Sequence, residues 1–533
     1  MQARHSGRPH TGSILAAQAI ALATVIGVFS PKAHAGDLTL DSLKDVIPSV
    51  SAAGITIYGT VDVGFAYSSH GVSASGAFYP GADYTIFGSR FAGPAIATMT
   101  NNALEQSKIG VKVEESFGDG WAAIGKLETG FNPISGELSD ACASLLRNNG
   151  KLYSQMDNNG DGSRCGQAFN SVAYGGVSNA SYGTLTAGRQ QSLMMDGLAT
   201  YDPMTLSYAF SVLGYSGTPA GGIGSTETAR WNNSAKYVYQ FGPIHAAAMY
   251  SSGGQDTPMM GQGFGANIGG AYRGFSIDGF YTREFGAVNL SSFANPAYTG
   301  SGAFPGGTSC IAGIDCPNEL VGTITNNEAW SVMAKYSFDI EEPAGGLKDQ
   351  PRANDKLTLF AGFVYIDLSN PDHRQSFYNG FNTIGGYQFF TLGAGGVGPN
   401  YNPANDRAFG SDRIENTEWA GVRYDFSWGL NLTGAYYHWG QDSFLNNKGQ
   451  NCTTVTNANI AAKNASPSHF VGNTAGNNCA GDFNQVSFLA DYVFNKHFDV
   501  YGGISYTMIG GGLASAFLND NMITFATGVR LKF

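Results

Sequence analysis

Residues 521–533, NMITFATGVRLKF, decide the fold. Ile523, Phe525, Thr527, Val529, Leu531 and Phe533 fall on one side of an extended chain; Thr524, Ala526, Gly528, Arg530 and Lys532 fall on the other. A period of two marks a strand with one apolar and one polar face. A strand at the end of a chain leaves N–H and C=O groups unpaired unless a neighbour covers them, so this segment calls for a partner. The segment GITIYGTVDVGFAYSS, residues 54–69, alternates in the same way, with Ile55, Ile57, Val61, Val63, Phe65 and Tyr67 opposite Thr56, Tyr58, Thr60 and Asp62.

Between these two segments the pattern recurs. SKIGVKVEESF, WAAIGKLETGF, RWNNSAKYVY, KLTLFAGFVYIDL, NTEWAGVRYDFS and NQVSFLADYVFN are the clearest cases, and about sixteen segments emerge in all. Their connections alternate between short and long. SFGDG, NASYG, QFG, SWG and NKH are tight, whereas the stretches after Ser68, Asn132, Arg189, Phe285, Asp367 and Gly440 are far longer than ordinary loops. One connection on the short side, residues 340–355, is long and departs from the rule. Alternating strands with tight turns at one end and long loops at the other describe an up-and-down transmembrane barrel. In lipid such a sheet must close on itself, because no water satisfies an open edge. The expected fold is therefore all-β, a sixteen-stranded antiparallel barrel whose last strand pairs with its first, wide enough to keep an aqueous interior.

Composition agrees. Only 13% of the 533 residues are charged, an equal 13% are aromatic and 74 are glycine; the charged share is about half that of an ordinary soluble domain. Arg4 and Arg8, an apolar run and Ala33-His34-Ala35 read as a secretory signal peptide over residues 1–35. Residues 36–53 then form a short extension and 54–533 the barrel. Loss of the three leader cations lowers the net charge from −11 to −14, which argues against nucleic acid as a partner. The six cysteines fall as sequential pairs, Cys142 with Cys165, Cys310 with Cys316 and Cys452 with Cys479. Three local disulfides are the simplest of the fifteen connectivities.

The order of ITIYGTVDVGF, SKIGVKVEESFGDGWAAIGKLETGFN, YGTLTAGRQ…YDP, RWNNSAKYVY, FLADYVFNKHFDVYGGISYT and the ending GVRLKF resembles the general diffusion porins of Gram-negative bacteria. The resemblance covers most of the chain at strand level and fails in the loops. It implies an outer-membrane homotrimer and a third long loop that folds inward to narrow the pore. It also implies that the terminal aromatic, Phe533, is read by the barrel-assembly machinery. The third loop, about residues 190–228, carries Asp196, Asp202 and Glu227 as acidic candidates for the constriction. It lacks the Pro-Glu-Phe-Gly-like element common in relatives. Arg189 and Arg230 flank it and resemble the family's pore arginines.

Other candidates follow from parity. Lys108, Lys112, Lys126, Lys236, Arg423 and Arg530 share the polar faces of their segments, as do Asp62, Glu114, Glu128, Asp278, Asp425 and Asp491. Rings of such charges set ion preference in pores. Tyr67, Trp121, Trp330, Trp428 and Trp439 lie near segment ends, where interfacial girdles are expected. Asp157, Asn159 and Asp161 open like a calcium loop, but Ala168 stands where the closing Glu belongs. The histidines form no ligand pattern, no G-x-S-x-G nucleophile element occurs, and no phosphate-cradling loop with Lys is present. No cofactor and no enzymatic activity are expected. The function read from the sequence is passive diffusion of small hydrophilic solutes and ions across the outer membrane, in contact with its lipids. A channel selective for sugars or organic anions is the alternative. An adhesin or a barrel lipase lies further off.

Overall fold

A computed structural model describes residues 51–70 (without 53), 95–139, 167–214, 229–253, 261–294, 318–340, 355–372, 409–444, 480–514 and 519–533, with a few isolated positions such as Tyr84 and Arg164. Sixteen strands make one sheet: β1 (Ile55–Ser68), β2 in two segments (Ile96–Asn101 and Lys108–Gly118), β3 (Trp121–Gly130), β4 (Val172–Asn179), β5 (Gly183–Gln191), β6 (Arg230–Phe241), β7 (Ile244–Ser252), β8 (Gln262–Tyr272), β9 (Phe275–Ala294), β10 (Asn318–Ile340), β11 (Asp355–Ser369), β12 (Arg413–Asp425), β13 (Leu430–Gln441), β14 (Gly481–Asn495), β15 (Phe498–Ile509) and β16 (Asn521–Lys532). Each strand pairs antiparallel with the next. β16 returns to β1 in a register running from Thr60 opposite Lys532 to Ser68 opposite Thr524. The partner that the closing segment called for is the one its sequence suggested. No helix among the described residues is long and apolar enough to cross a membrane; the crossing is made by strands.

The seam ends on Phe533. Its N–H donates to the Gly59 carbonyl at 3.1 Å, and the Gly59 N–H donates to the Phe533 carbonyl at 2.9 Å. Removing Phe533 deletes this last pair of bonds, each worth on the order of 1 kcal/mol net in water and more where water is scarce. Deletion is expected to lower the outer-membrane yield of folded protein severalfold and to leave the conductance of the molecules that do assemble unchanged. Quantitative gel-shift of heated against unheated membranes measures the first, and bilayer recording the second.

Parity sorts the two faces. Ile55, Ile57, Phe65, Leu185, Ile268, Phe275, Val332, Leu359, Phe488 and Phe525 project outward and are exposed apolar side chains. They form the surface offered to lipid. Aromatic side chains gather at the turn ends, where Tyr424, Phe426, Trp428, Tyr492, Phe494 and Phe498 form a continuous chain with ring centroids 4.5–5.8 Å apart. Trp121 stacks on Tyr182 at 5.7 Å, and Trp330 on Tyr365 at 5.4 Å. Trp439 departs from the girdle expectation. It has the inward parity of β13, is 2% exposed, and donates its ring N–H to Glu415 Oε2 at 3.3 Å.

The inner face is not uniformly polar. Met333, Val364, Ile366, Trp419, Tyr437, Trp439 and Phe483 point inward and are buried. Part of this surface meets the third long loop, where the Trp419 ring N–H donates to the Tyr201 carbonyl at 3.0 Å and the Tyr437 hydroxyl to Asp202. Ser192 caps a helix, α1 (Leu193–Tyr201), by accepting from the Met195 N–H at 3.2 Å. Such a cap satisfies one of the four orphan donors at a helix start. Leu193, Met194, Gly197, Leu198 and Tyr201 are the buried side of α1, which lies against β7–β11 inside the barrel. The approach is close: a Cβ built on Gly197 would stand 2.4 Å from the Phe280 ring.

The expected cysteine pairs, the acidic turn at Asp157, Asn159 and Asp161, Glu227, the leader and the long connection at 341–354 all lie outside the described residues.

Candidate functional site

Among the described residues of the third loop, α1 lies against β7–β11, and a group of charged side chains lines the inner wall of β1–β3 and β6. There Tyr58 on β1 donates to Glu128 Oε2 at 2.7 Å, and Lys126 pairs with the same carboxylate at 3.2 Å. Lys112 and Lys126 stand directly opposite one another on β2 and β3. Their ammonium groups lie 4.8 and 5.5 Å from the centroid of the Tyr58 ring. Like charges directly across a strand pair repel; the ring face and the single carboxylate offset that only in part. Among the described residues no carboxylate lies within ion-pair distance of Lys112. Further round, Lys236 on β6 reaches Asp196 on α1 at 2.6 Å. The pair joins the barrel wall to the loop, with Asp196 partly open to the lumen.

A second charged group sits nearer the turn end of the seam. Arg530 meets Asp499 at 3.0 Å, Glu105 at 3.2 Å and Asp491 at 3.5 Å, and Lys532 meets Asp499 at 2.9 Å. Lys108 pairs with Glu105 at 2.6 Å, and Arg423 with Asp425 at 2.7 Å. These cations are held by carboxylates, so their fields are largely cancelled at a distance. His245 and Asn267 both bond Asp278 Oδ1, at 2.6 and 2.8 Å, and the Tyr201 hydroxyl donates to Asp278 Oδ2.

Of the residues expected at the constriction, the structure brings together Lys112, Lys126, Lys236 and Asp196. Asp202 lies elsewhere. It is 1% exposed and takes hydrogen bonds from the Tyr437 hydroxyl at 2.5 Å, the Leu206 N–H at 2.7 Å and the Met204 N–H at 3.2 Å. Burial pushes its carboxyl above the usual range, and the donated bonds pull the other way. It fastens the loop to the wall rather than facing solutes. Arg189 stands opposite Ala173, which stands opposite Leu127 on the outward row of β3. Its guanidinium donates to Asn232 Oδ1 and to the Asn170 carbonyl, both at 2.8 Å. The register therefore sets Arg189 on the outer row of β5; a bulge between Gly188 and Gln190 reverses the parity that follows it. Arg230 is buried at the start of β6.

Sequence parity missed the role of Tyr58, whose alternation alone marks only an inward tyrosine. It also missed the first segment of β2, because no long alternating run announces Ile96–Asn101. Among the described residues no group of three His, Cys, Asp or Glu is placed to hold a metal.

An outer membrane porin protein of Bordetella pertussis is 25% identical over 194 residues, which is 35% of this chain and 41% of that protein; the match thus spans under half of the relative's length. Among solved structures, an anion-selective porin from Comamonas acidovorans overlays with a TM-score of 0.47 at 12% identity, covering 90% of this chain and 99% of that one. OmpT of Vibrio cholerae gives 0.47 at 12%, covering 91% and 100%. The sequence model of the Gram-negative porins matches residues 21–511. A closed sixteen-stranded barrel with an inward third loop, matched over that length, belongs to the Gram-negative porin family of the outer membrane.

Proposed function

We propose that this chain forms a water-filled channel through which small hydrophilic solutes and ions diffuse passively. The observation that carries the reading is the charged group on the inner wall, Tyr58, Lys112, Lys126 and Lys236, with Asp196 of the third loop held against Lys236. Purified protein added to a planar bilayer is expected to give stepwise conductance. Silence at high protein concentration overturns the reading. The family resemblance carries the expectation of a homotrimer, tested by whether unheated protein migrates at trimer mass. The same reading gives the protein no catalysis and no cofactor.

A second reading, preference for anions, is favoured by Lys112 and Lys126 standing opposite each other. Lys112→Glu reverses a charge beside the path. Two units of charge acting across about 8 Å of water shift an ion's energy by about 1 kcal/mol, up for anions and down for cations, or roughly thirtyfold in the anion-to-cation permeability ratio. The reversal potential in a salt gradient is expected to move toward cations, by less at high ionic strength. An unmoved potential removes Lys112 from the path.

A further inference from the structure

The break in β2 has no explanation in barrel closure. Val63 on β1 pairs with Asn101 and Thr60 pairs with Lys108. Two residues of β1 therefore face six of β2, residues 102–107. An insertion of this size leaves backbone donors without ladder partners. Here they are gathered by Asp62, which is 0% exposed. Its Oδ2 accepts from the N–H groups of Leu104 and Glu105, both at 2.8 Å, and its Oδ1 from the Tyr501 hydroxyl at 2.5 Å. Its own N–H donates to Ser107 Oγ at 2.9 Å. Asn102, at φ 57°, turns the chain and accepts from the Ser107 N–H at 2.7 Å. The insertion is thus a built protrusion in which the Asn102, Leu104, Glu105 and Ser107 N–H groups all have partners, the first donating to the Asp62 carbonyl at 3.1 Å.

The middle of the third loop, Ser207–Ala209, meets that protrusion. The Ala103 carbonyl accepts from the Ala209 N–H at 2.9 Å and from Ser207 Oγ at 2.8 Å, and the Tyr208 hydroxyl donates to Gln106 Oε1 at 3.2 Å. From the opposite side, Ser505 Oγ on β15 donates to the Ala209 carbonyl at 3.1 Å. Phe210 packs so closely on Gly503 that a Cβ there would stand 2.7 Å from its ring.

We propose that the 102–107 protrusion is a second anchor of the third loop, at Ser207–Ala209, and that Asp62 is the residue that positions it. One part of the loop is held by Asp202 and Tyr437. The Ser207–Ala209 part is held by a β2 segment whose shape depends on one buried carboxylate that touches no solute. Loss of that carboxylate frees the protrusion, and with it the Ser207–Phe210 segment of the loop. This rests on the channel reading above; conduction by the unaltered protein upholds that reading whatever the outcome here.

The test is single-channel recording of the full-length protein carrying Asp62→Ala, extracted as the heat-modifiable folded species. Its conductance is expected to change by about twofold, with a severalfold rise in open-channel current noise as that segment moves. A second protein, Asp62→Ala with Ala103→Cys and Ala209→Cys, is expected to recover quiet, unaltered conductance when oxidised and to lose it on reduction. If Asp62→Ala does not assemble, Ser207→Ala with Tyr208→Phe cuts the same joint from the loop side and leaves the barrel wall intact; the same noise is expected. Folded Asp62→Ala channels, or folded Ser207→Ala/Tyr208→Phe channels, with unaltered conductance and noise overturn the proposal.

Discussion

Gly64→Val is expected to prevent closure of the barrel. Gly64 lies on β1 directly opposite Gly528 on β16, at the seam. A Cβ at Gly64 would stand 1.9 Å from the Thr527 carbonyl oxygen and 2.6 Å from the Gly528 Cα. Both obstacles are backbone, so relief requires the two strands to part. Tyr501 crosses the same place to reach Asp62, and a Cβ at Gly528 would meet its hydroxyl at 2.4 Å. Overpacking in an ordinary core costs about 1–3 kcal/mol because side chains can give way; here they cannot. Opening the seam also exposes strand edges where lipid offers no hydrogen bonds. Folded protein in the outer membrane, scored by gel mobility before and after heating, is expected to fall to near nothing. Gly125→Ala is the control, because its Cβ would meet nothing nearer than 3.6 Å. Normal yield from Gly64→Val would falsify this view of the seam.

Asp202→Ala is the second large effect. The residue closes α1, with its own N–H donating to the Leu198 carbonyl at 2.9 Å, and its carboxylate satisfies three donors at the wall. Alanine leaves the Tyr437 hydroxyl and the Met204 and Leu206 N–H groups buried without that partner. Each orphaned group costs about 1–3 kcal/mol. The loop is expected to leave the wall in a fraction of molecules. Channels should then be of mixed and larger conductance, and the protein should lose its folded gel mobility at a lower temperature. Tyr437→Phe removes one donor and keeps the carboxylate, so its shift should be a minor part of the alanine effect. A uniform, unaltered conductance in Asp202→Ala would show that the remaining contacts, among them the Trp419 ring N–H donating to the Tyr201 carbonyl at 3.0 Å, hold the loop without Asp202.

Both predictions concern features that alternation cannot encode. A period of two reports which residues share a face. It therefore located every strand of the barrel except the first segment of β2, and it set Lys112, Lys126 and Lys236 on the inner side. It also paired the chain's last alternating segment with its first, because in lipid an open sheet has no other resolution. It could not distinguish an inward residue that meets water from one that meets the third loop. Trp439 and Trp428 look alike in sequence; one is buried on the inner wall against Glu415 and the other belongs to the aromatic chain at the turns. Asp196 and Asp202, six residues apart, look equally suited to a constriction, yet α1 turns one toward Lys236 and buries the other against Tyr437.

The arginines make the same point. Arg189 resembles the family's pore arginines in sequence, yet the regular alternation of β5 sets it on the outer row with Leu185 and Ala187. Residue identity and spacing along one strand determine the barrel, because each strand obeys the same two-sided rule independently. The permeation path depends on contacts between residues that are 40 to more than 400 positions apart, such as Asp196 with Lys236, Asp202 with Tyr437 and Asp62 with Tyr501. Those contacts exist only once the sheet has closed and the loop has found its wall.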